Sequence, residues 1–258
     1  MFDTAAYLER IGYQGDIAPT VATLGELHRA HLLAIPFENL DIHLGRPIVL
    51  EEDALFAKII AHRRGGFCYE LNGLFATLLR ALGFDVALLA AQFPRDDGRA
   101  APEMDHLVLL VGATDGAEPL LADVGAGRDS FIVPLRTAVS GEQPQPAGSA
   151  SFRLVPEGDG CRLQRREPDG EWEARYRFTW RPRVLADFEA GSRFHQSSPE
   201  SDFPRKRMCT LLTPNGRVTL SDRTVIVTAD GVRTERDLPD APAYRETLRT
   251  LFGIDLDG

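Results

Sequence analysis

An α+β fold is predicted, on three observations. Apolar residues recur at helical spacing through the first third of the chain, which reads as a helical bundle. Short apolar runs of strand length, divided by turn sequences, fill the middle third. The remainder is loop-rich, then offers further strands and a closing amphipathic helix.

Each element follows from a local signal. Asp3 or Thr4 caps a first short helix with Tyr7, Leu8 and Ile11 on one face. Thr20 caps a second, with Leu24, Leu27, His28, His31 and Leu32 at helical spacing, and Pro36 ends it. His28 and His31 are expected on the polar flank of that helix. Glu51 to His62 repeats the pattern through Leu55 and Ile59. Leu71, Leu74, Phe75, Leu78, Leu79 and Leu82 mark a buried helix, with Gly83 as its stop. From Phe84 the character changes. Asp85–Phe93, His106–Val111, Pro119–Val124, Phe152–Val155, Arg162–Arg165 and Trp172–Trp180 read as strands of an antiparallel, barrel-like or sandwich region. In the last of these Trp172, Ala174, Tyr176, Phe178 and Trp180 share one face. Ser140–Ser151, polar and rich in Pro and Gly, reads as a surface loop. Arg217–Leu220, Arg223–Thr228 and a run near Val232 are strands, and Tyr244, Leu248, Leu251 and Phe252 line a final helix.

A net charge of −9 argues against a nucleic-acid or anionic-membrane binder, although Arg205, Lys206 and Arg207 form a local patch suited to phosphate. The three cysteines, Cys68, Cys161 and Cys209, are too few and odd in number for a disulfide framework, which points to a reducing compartment. No run approaches the roughly 20 apolar residues of a membrane span. The N-terminus lacks a signal sequence, so a cytoplasmic location is expected.

The chemistry centres on Arg63–Phe75, RRGGFCYELNGLF. A lone cysteine is most often a small buried hydrophobe. Cys68, however, falls in the first turn of a helix, where backbone N–H groups and the macrodipole favour a thiolate and lower its pKa. Gly65 and Gly66 before it permit a tight turn and close backbone approach. A thiolate nucleophile needs a base and an orienter for that base. His106 opens an apolar strand 38 residues later, and Asp123 ends another 17 residues beyond. Taken singly, they read as a satisfied core histidine and a turn-forming Asp before Gly125; taken together, the three suit a Cys–His–Asp triad. A zinc site is disfavoured, because neither C-x-x-C nor H-x-x-x-H occurs. Cys161 and Cys209 read as structural.

At these residues the chain resembles the arylamine N-acetyltransferases. Ile35–Ile42 (IPFENLDI) resembles the family's PFENL segment, and Arg64–Phe75 its nucleophile motif. Asp105-His106-Leu107 and Ala122-Asp123-Val124-Gly125 resemble the blocks that carry its histidine and aspartate. Ser197–Phe203 and Leu212–Gly216 resemble its later, looser segments. The resemblance implies a helical bundle carrying the nucleophile at 1–84, an antiparallel β-barrel carrying His106 and Asp123 at 85–187, and an α/β lid at 188–258. This is a core of the cysteine-protease and transglutaminase kind. It implies that Cys68 takes an acetyl group from acetyl-CoA, without a metal, and passes it to a small aromatic amine or hydrazine. His106 would be the base and Asp123 its orienter. Phe37 would line the acceptor pocket, Glu38 and Arg64 would form a supporting ion pair, and Gly125, Ala126 and Gly127 would approach the thioester.

The chain departs from the family's usual DVGFG, carrying Asp123-Val124-Gly125-Ala126-Gly127. With no Phe at Ala126, the aromatic wall falls to Phe37, Phe67 and Phe93. Gln92-Phe93 stand where relatives often have small or aliphatic residues, and the C-terminus is short. Three other readings use the same residues: an amide synthase closing a macrolactam from a carrier-bound chain, a thiol hydrolase with the same triad, and a non-catalytic binding protein. Oligomeric state is not legible.

Overall fold

The computed structural model describes residues 2–95, 101–139, 141–146 and 150–256. The first segment holds α1 (Thr4–Arg10), α2 (Val21–Ala34), the two-residue strand β1 (Phe37–Glu38), α3 (Leu40–His43), α4 (Glu52–Phe56) and α5 (Cys68–Ala81). Asp3 Oδ1 accepts from Ala6 N–H (2.9 Å) and Thr20 Oγ1 from Thr23 N–H (3.2 Å), so both predicted starts are capped by side chains. α4 does not continue regularly to His62. It passes into a π-helical turn, Ala57–Ala61, that brings Lys58 inward. α5 is buried on nearly every face, and Gly83 (φ +92°) follows its end in the left-handed conformation that glycine permits.

The middle segment is an eight-stranded antiparallel sheet. Its strands are β2 (Asp85–Gln92), β3 (His106–Gly112), β4 (Leu120–Ala122), β5 (Leu135–Arg136), β6 (Gln143–Pro144), β7 (Ser151–Glu157), β8 (Gly160–Arg166) and β9 (Glu173–Arg183), in spatial order β5-β4-β3-β2-β9-β8-β7-β6. The sheet curls so that its edge strands meet through a side chain. Gln143 of β6 donates to Arg136 O (3.0 Å) and accepts from Arg136 N–H (2.8 Å) on β5. Next to it, buried Gln145 accepts from the N–H groups of Ile132 and Val133, both at 2.7 Å. The region expected to be a surface loop, Ser140–Ser151, therefore contains barrel-closing structure. Residue 140 and residues 147–149 lie outside the described residues.

β2 and β3 are unbroken apolar runs because both faces are covered. Leu88, Ala90, Leu107 and Leu109 pack on the helices, while Leu89, Ala91 and Val108 fill the barrel with Phe152, Leu163, Tyr176 and Phe178. The alternation predicted from Trp172 to Trp180 holds at Tyr176 and Phe178, whereas Trp180, where the β2–β9 register shifts, is exposed.

The last segment has α6 (Glu189–Ser197), then β10 (Met208–Thr213), β11 (Gly216–Ser221), β12 (Thr224–Ala229), β13 (Val232–Asp237) and α7 (Ala241–Phe252). With β1 these strands form a five-stranded antiparallel sheet edged by β1 and β13, Phe37 pairing with Thr210 and Glu38 with Cys209. Cys209, Val218, Leu220, Tyr244, Leu248 and Phe252 are buried in its own core. Among the described residues no helix is long and apolar enough to cross a membrane.

Candidate active site

Cys68 is the first residue of α5, with Phe67 as the N-cap. The two glycines before it serve close approach, and neither needs a left-handed turn. A Cβ on Gly65 would lie 2.0 Å from Pro36 O, and one on Gly66 would strike Glu70. That approach lets Glu38 N–H bond to Gly66 O at 2.9 Å, stitching β1 to the nucleophile loop. Glu70 Oε2 accepts from Phe67 N–H (3.0 Å), closing the helix start.

The predicted Glu38–Arg64 pair is one part of a larger buried network. Arg64 reaches Glu38 Oε1 (2.7 Å) and Asp41 Oδ1 (3.0 Å), and Lys58 bridges Asp41 Oδ2 (2.8 Å) and Glu70 Oε1 (2.7 Å). Burial raises the Glu70 carboxyl against the lowering pull of Lys58. The network ties α3, the π-helical turn and the start of α5 into one unit behind Cys68.

His106 opens β3, and the β3–β4 register (Leu109 opposite Ala122) carries Asp123 to the place opposite Val108, two residues along from His106 on the same face. His106 Nε2 and Asp123 Oδ2 are 2.8 Å apart, both side chains being at most 2 % exposed. Nδ1 is the ring nitrogen not engaged by Asp123, and the ring and the Cys68 thiol influence one another's proton affinity. Asp123 accepts three further hydrogen bonds: from Tyr176 Oη at 3.0 Å, and to Oδ1 from Asn72 Nδ2 and Gly125 N–H, each at 2.9 Å. Asn72 lies four residues after Cys68, on the same face of α5, and also donates to Leu107 O (2.7 Å).

These contacts set the protonation states. Burial pulls the His106 ring down, but the charge and hydrogen bond of Asp123, joined by the Cys68 thiol, outweigh it and raise the ring to about 10. Asp123 would be raised by burial, yet His106, Asn72 and Gly125 hold it below the ordinary carboxylate range. Burial is also the largest influence on Cys68 and pushes the thiol up, against the lowering pull of His106, with Asp105 and Asp123 adding to the rise. The thiol expected to be depressed at the helix start is instead raised, with burial the largest cause at a thiol 4 % exposed. A thiolate here forms by proton transfer within the pair, to a ring that holds its proton tightly.

The loop after Asp123 packs against the nucleophile. A Cβ on Gly125 would sit 2.7 Å from Cys68 Cα, and one on Gly127 (φ +58°) would be 3.5 Å from the Phe37 ring. Ala126 is half-buried between them. The aromatic residues divide into two groups. Phe37 and Phe67 each contact Phe203, at centroid distances of 6.1 and 6.0 Å. Phe93 packs instead on the edges of His106 (5.1 Å) and Tyr176 (5.3 Å), beside a cleft of about 230 Å³ that Cys68 does not line.

The histidines expected on a polar flank are both fully buried. His31 Nδ1 meets Tyr7 Oη (2.7 Å), and His28 Nε2 accepts from Asp123 N–H (3.1 Å). Sequence reasoning missed His28, Asn72, Tyr176 and Phe203 as site residues. The position of Asn72 one turn after Cys68 and of Tyr176 on the inward face of β9 were available signals; His28 had none.

Comparison with known proteins decides the family. The profile of the N-acetyltransferase family matches residues 20–258. The arylamine N-acetyltransferase / N-hydroxyarylamine O-acetyltransferase of Salmonella typhimurium is 36% identical over 98% of this chain and 89% of its own length. The chain belongs to the arylamine N-acetyltransferase family. The structure of the Mycobacterium marinum arylamine N-acetyltransferase in complex with CoA superposes with a TM-score of 0.89 at 36% identity, covering 98% of this chain and 93% of that one. A proansamycin X synthase of Amycolatopsis mediterranei is similar at 34% identity, over 99% of this chain and 98% of its own. The α+β fold, helices on an eight-stranded barrel, is that of the solved arylamine N-acetyltransferases.

Proposed function

We propose that the protein is an acetyl-CoA-dependent arylamine N-acetyltransferase working through an acetyl-Cys68 intermediate. The observation that carries this reading is the buried His106–Asp123 pair at 2.8 Å, with Cys68 at the helix start acting electrostatically on the same ring. The Mycobacterium marinum relative binds CoA, which supports the donor assignment. The loop Gly125–Gly127 is pressed on Cys68 and Phe37, which supports a role for it beside the thioester.

In this reading the proton of the Cys68 thiol already rests on His106, and the Cys68 thiolate attacks the thioester carbonyl. The new C–S bond forms as the bond to the coenzyme's sulfur breaks, and His106 returns the proton to that sulfur. In the second half His106 accepts a proton from the incoming aromatic amine or hydrazine. Its nitrogen bonds to the acetyl carbon, and Cys68 leaves as thiolate. Asp123 keeps the imidazole oriented and stabilises its charged form. Phe37, Phe67 and Phe203 flank the acceptor, with Phe93 against the far side of His106. We also propose that segments 1–84, 85–187 and 188–258 act as nucleophile carrier, base carrier and cover respectively.

The deciding experiment is intact-protein mass spectrometry after incubation with acetyl-CoA alone. One added acetyl group, mapped to Cys68 and discharged by an arylamine, is expected. Hydrolysis of the acetyl-enzyme without any amine would instead favour the thiol hydrolase. A second reading, an amide synthase closing a macrolactam from a carrier-bound chain, is favoured by the full-length similarity to a relative named as a synthase. It predicts no acetylation by acetyl-CoA.

A further inference from the structure

We propose that His28, on α2 and far from the motif that holds the nucleophile, is a positioning residue of this site: as the neutral Nδ1–H tautomer it pins the backbone that carries Asp123, and it releases that backbone when protonated. The proposal rests on the reading of Cys68, His106 and Asp123 as the reactive groups.

The polarity of two contacts determines the tautomer. His28 Nε2 lies 3.1 Å from the backbone nitrogen of Asp123, which can only donate. His28 Nδ1 lies 3.0 Å from the carbonyl oxygen of Ile132, which can only accept. The ring must therefore carry its proton on Nδ1 and a lone pair on Nε2. The plane is set by packing: His28 stacks on Phe131 (5.5 Å, 2° between planes) and meets the edge of Phe75 at 6.1 Å. One imidazole thus bridges the two ends of the loop that contains Asp123 and the Gly125–Gly127 segment.

A second proton would bring two N–H groups face to face at Asp123. The ionisable groups facing His28 are the Asp123 carboxylate, beyond the bonded amide, and His31, one turn along α2. Burial, the dominant influence, lowers His28 to about 4, against the raising pulls of Ile132 and Asp123. The ring is therefore in its holding state at neutral pH. Simple core packing would not require both ring nitrogens to be spent on one loop.

The test begins with the wild-type protein. Nitrogen-15 spectra of the labelled histidines should show His28 as Nδ1–H at neutral pH; an Nε2–H or charged ring overturns the proposal. His28→Phe keeps the stacked ring but loses both hydrogen bonds. With activity corrected for folded fraction, kcat should fall by about tenfold to a hundredfold, the range for small misplacement of a catalytic group, with KM for acetyl-CoA little changed. The proton shared by His106 and Asp123 should shift in the NMR spectrum. His28→Gln, whose amide oxygen can accept from Asp123 N–H, should restore most of the loss. Wild-type kcat with an unmoved His106 signal in the Phe variant, or a folded Gln variant as impaired as Phe, would sink the idea. If the Phe variant fails to fold, the tautomer measurement and the Gln variant decide. Failure of the triad reading registers separately, as turnover surviving Cys68→Ala.

Discussion

Two buried histidines grip the same residue and end in opposite protonation states. His106 holds the Asp123 carboxylate and is raised to about 10; His28 holds the Asp123 backbone N–H and is lowered to about 4. Burial acts on both in the same direction and is nearly complete for each. The difference lies in the partner. A carboxylate accepts a proton bond and favours the imidazolium, whereas an amide N–H demands a lone pair and favours the neutral ring. The site thereby holds a protonated and an unprotonated imidazole on the same residue, with no metal needed to separate them.

Removing the third member of the chain should have the largest effect. Cys68→Ala should abolish acetyl transfer and leave the fold intact, because a buried small residue is replaced by a slightly smaller one. Since the thiol helps to raise His106, the ring's pKa should fall in that variant while His28 stays unmoved. NMR titration of the two rings checks both, and turnover equal to wild type would break the triad.

Next is Asp123→Asn, which turns the carboxylate into a group that cannot hold an imidazolium. By analogy with the serine-protease triad, kcat should drop by up to about 10⁴. The linkage has a definite sign. The folded pKa of His106 is raised, so its stabilisation is full below about pH 6.5 and is lost as pH rises through about 10. Chemical denaturation across that window should show wild-type stability falling, and His106→Gln should flatten the slope.

His28 has the opposite window. Its folded pKa is depressed, so its contribution is full above about pH 6.5 and is lost as pH falls towards about 4. The upper bound on the loss is about 3 kcal/mol, from 1.36 kcal/mol per unit. His28→Gln should be less acid-sensitive than wild type when denaturation midpoints at acidic and neutral pH are compared. An identical acid slope in both would show that His28 does not titrate in that range.

The smallest effect touches neither ring. Ala126→Phe adds an aromatic surface beside Phe37 and Cys68, worth about 0.5–1.5 kcal/mol to a stacked acceptor. It should raise kcat/KM for a small aniline by roughly two- to tenfold relative to a bicyclic amine and leave both histidine titrations in place. Equal effects on the two amines, or a shift towards the larger one, would remove Ala126 from acceptor choice.

Much of the scaffold was legible because its signals are local. The period of α5, its glycine stop and the apolar runs of β2 and β3 each lie within a dozen or so residues. The misreadings share one cause. Ser140–Ser151 looks polar and irregular, but Gln143 and Gln145 use their side-chain amides to close the barrel against residues on and beside β5. His28 and His31 look like a polar flank, because the partners that satisfy them inside the core, Asp123 N–H, Ile132 O and Tyr7 Oη, are all distant in sequence.

Local sequence set most of the helices and long strands, their order and the chemical types available: a thiol at a helix start, an imidazole at a strand start, a carboxylate at a strand end. Tertiary structure decided their ionisation and aim. Asp123 draws its partners from residues 51, 53 and 95 positions away, at Asn72, Tyr176 and His28. Desolvation and a specific partner a few ångströms away set a buried group's pKa, and neither is a property of neighbouring residues in the chain. That is why the cysteine was conspicuous in the sequence, while the histidine that holds its aspartate in place was not.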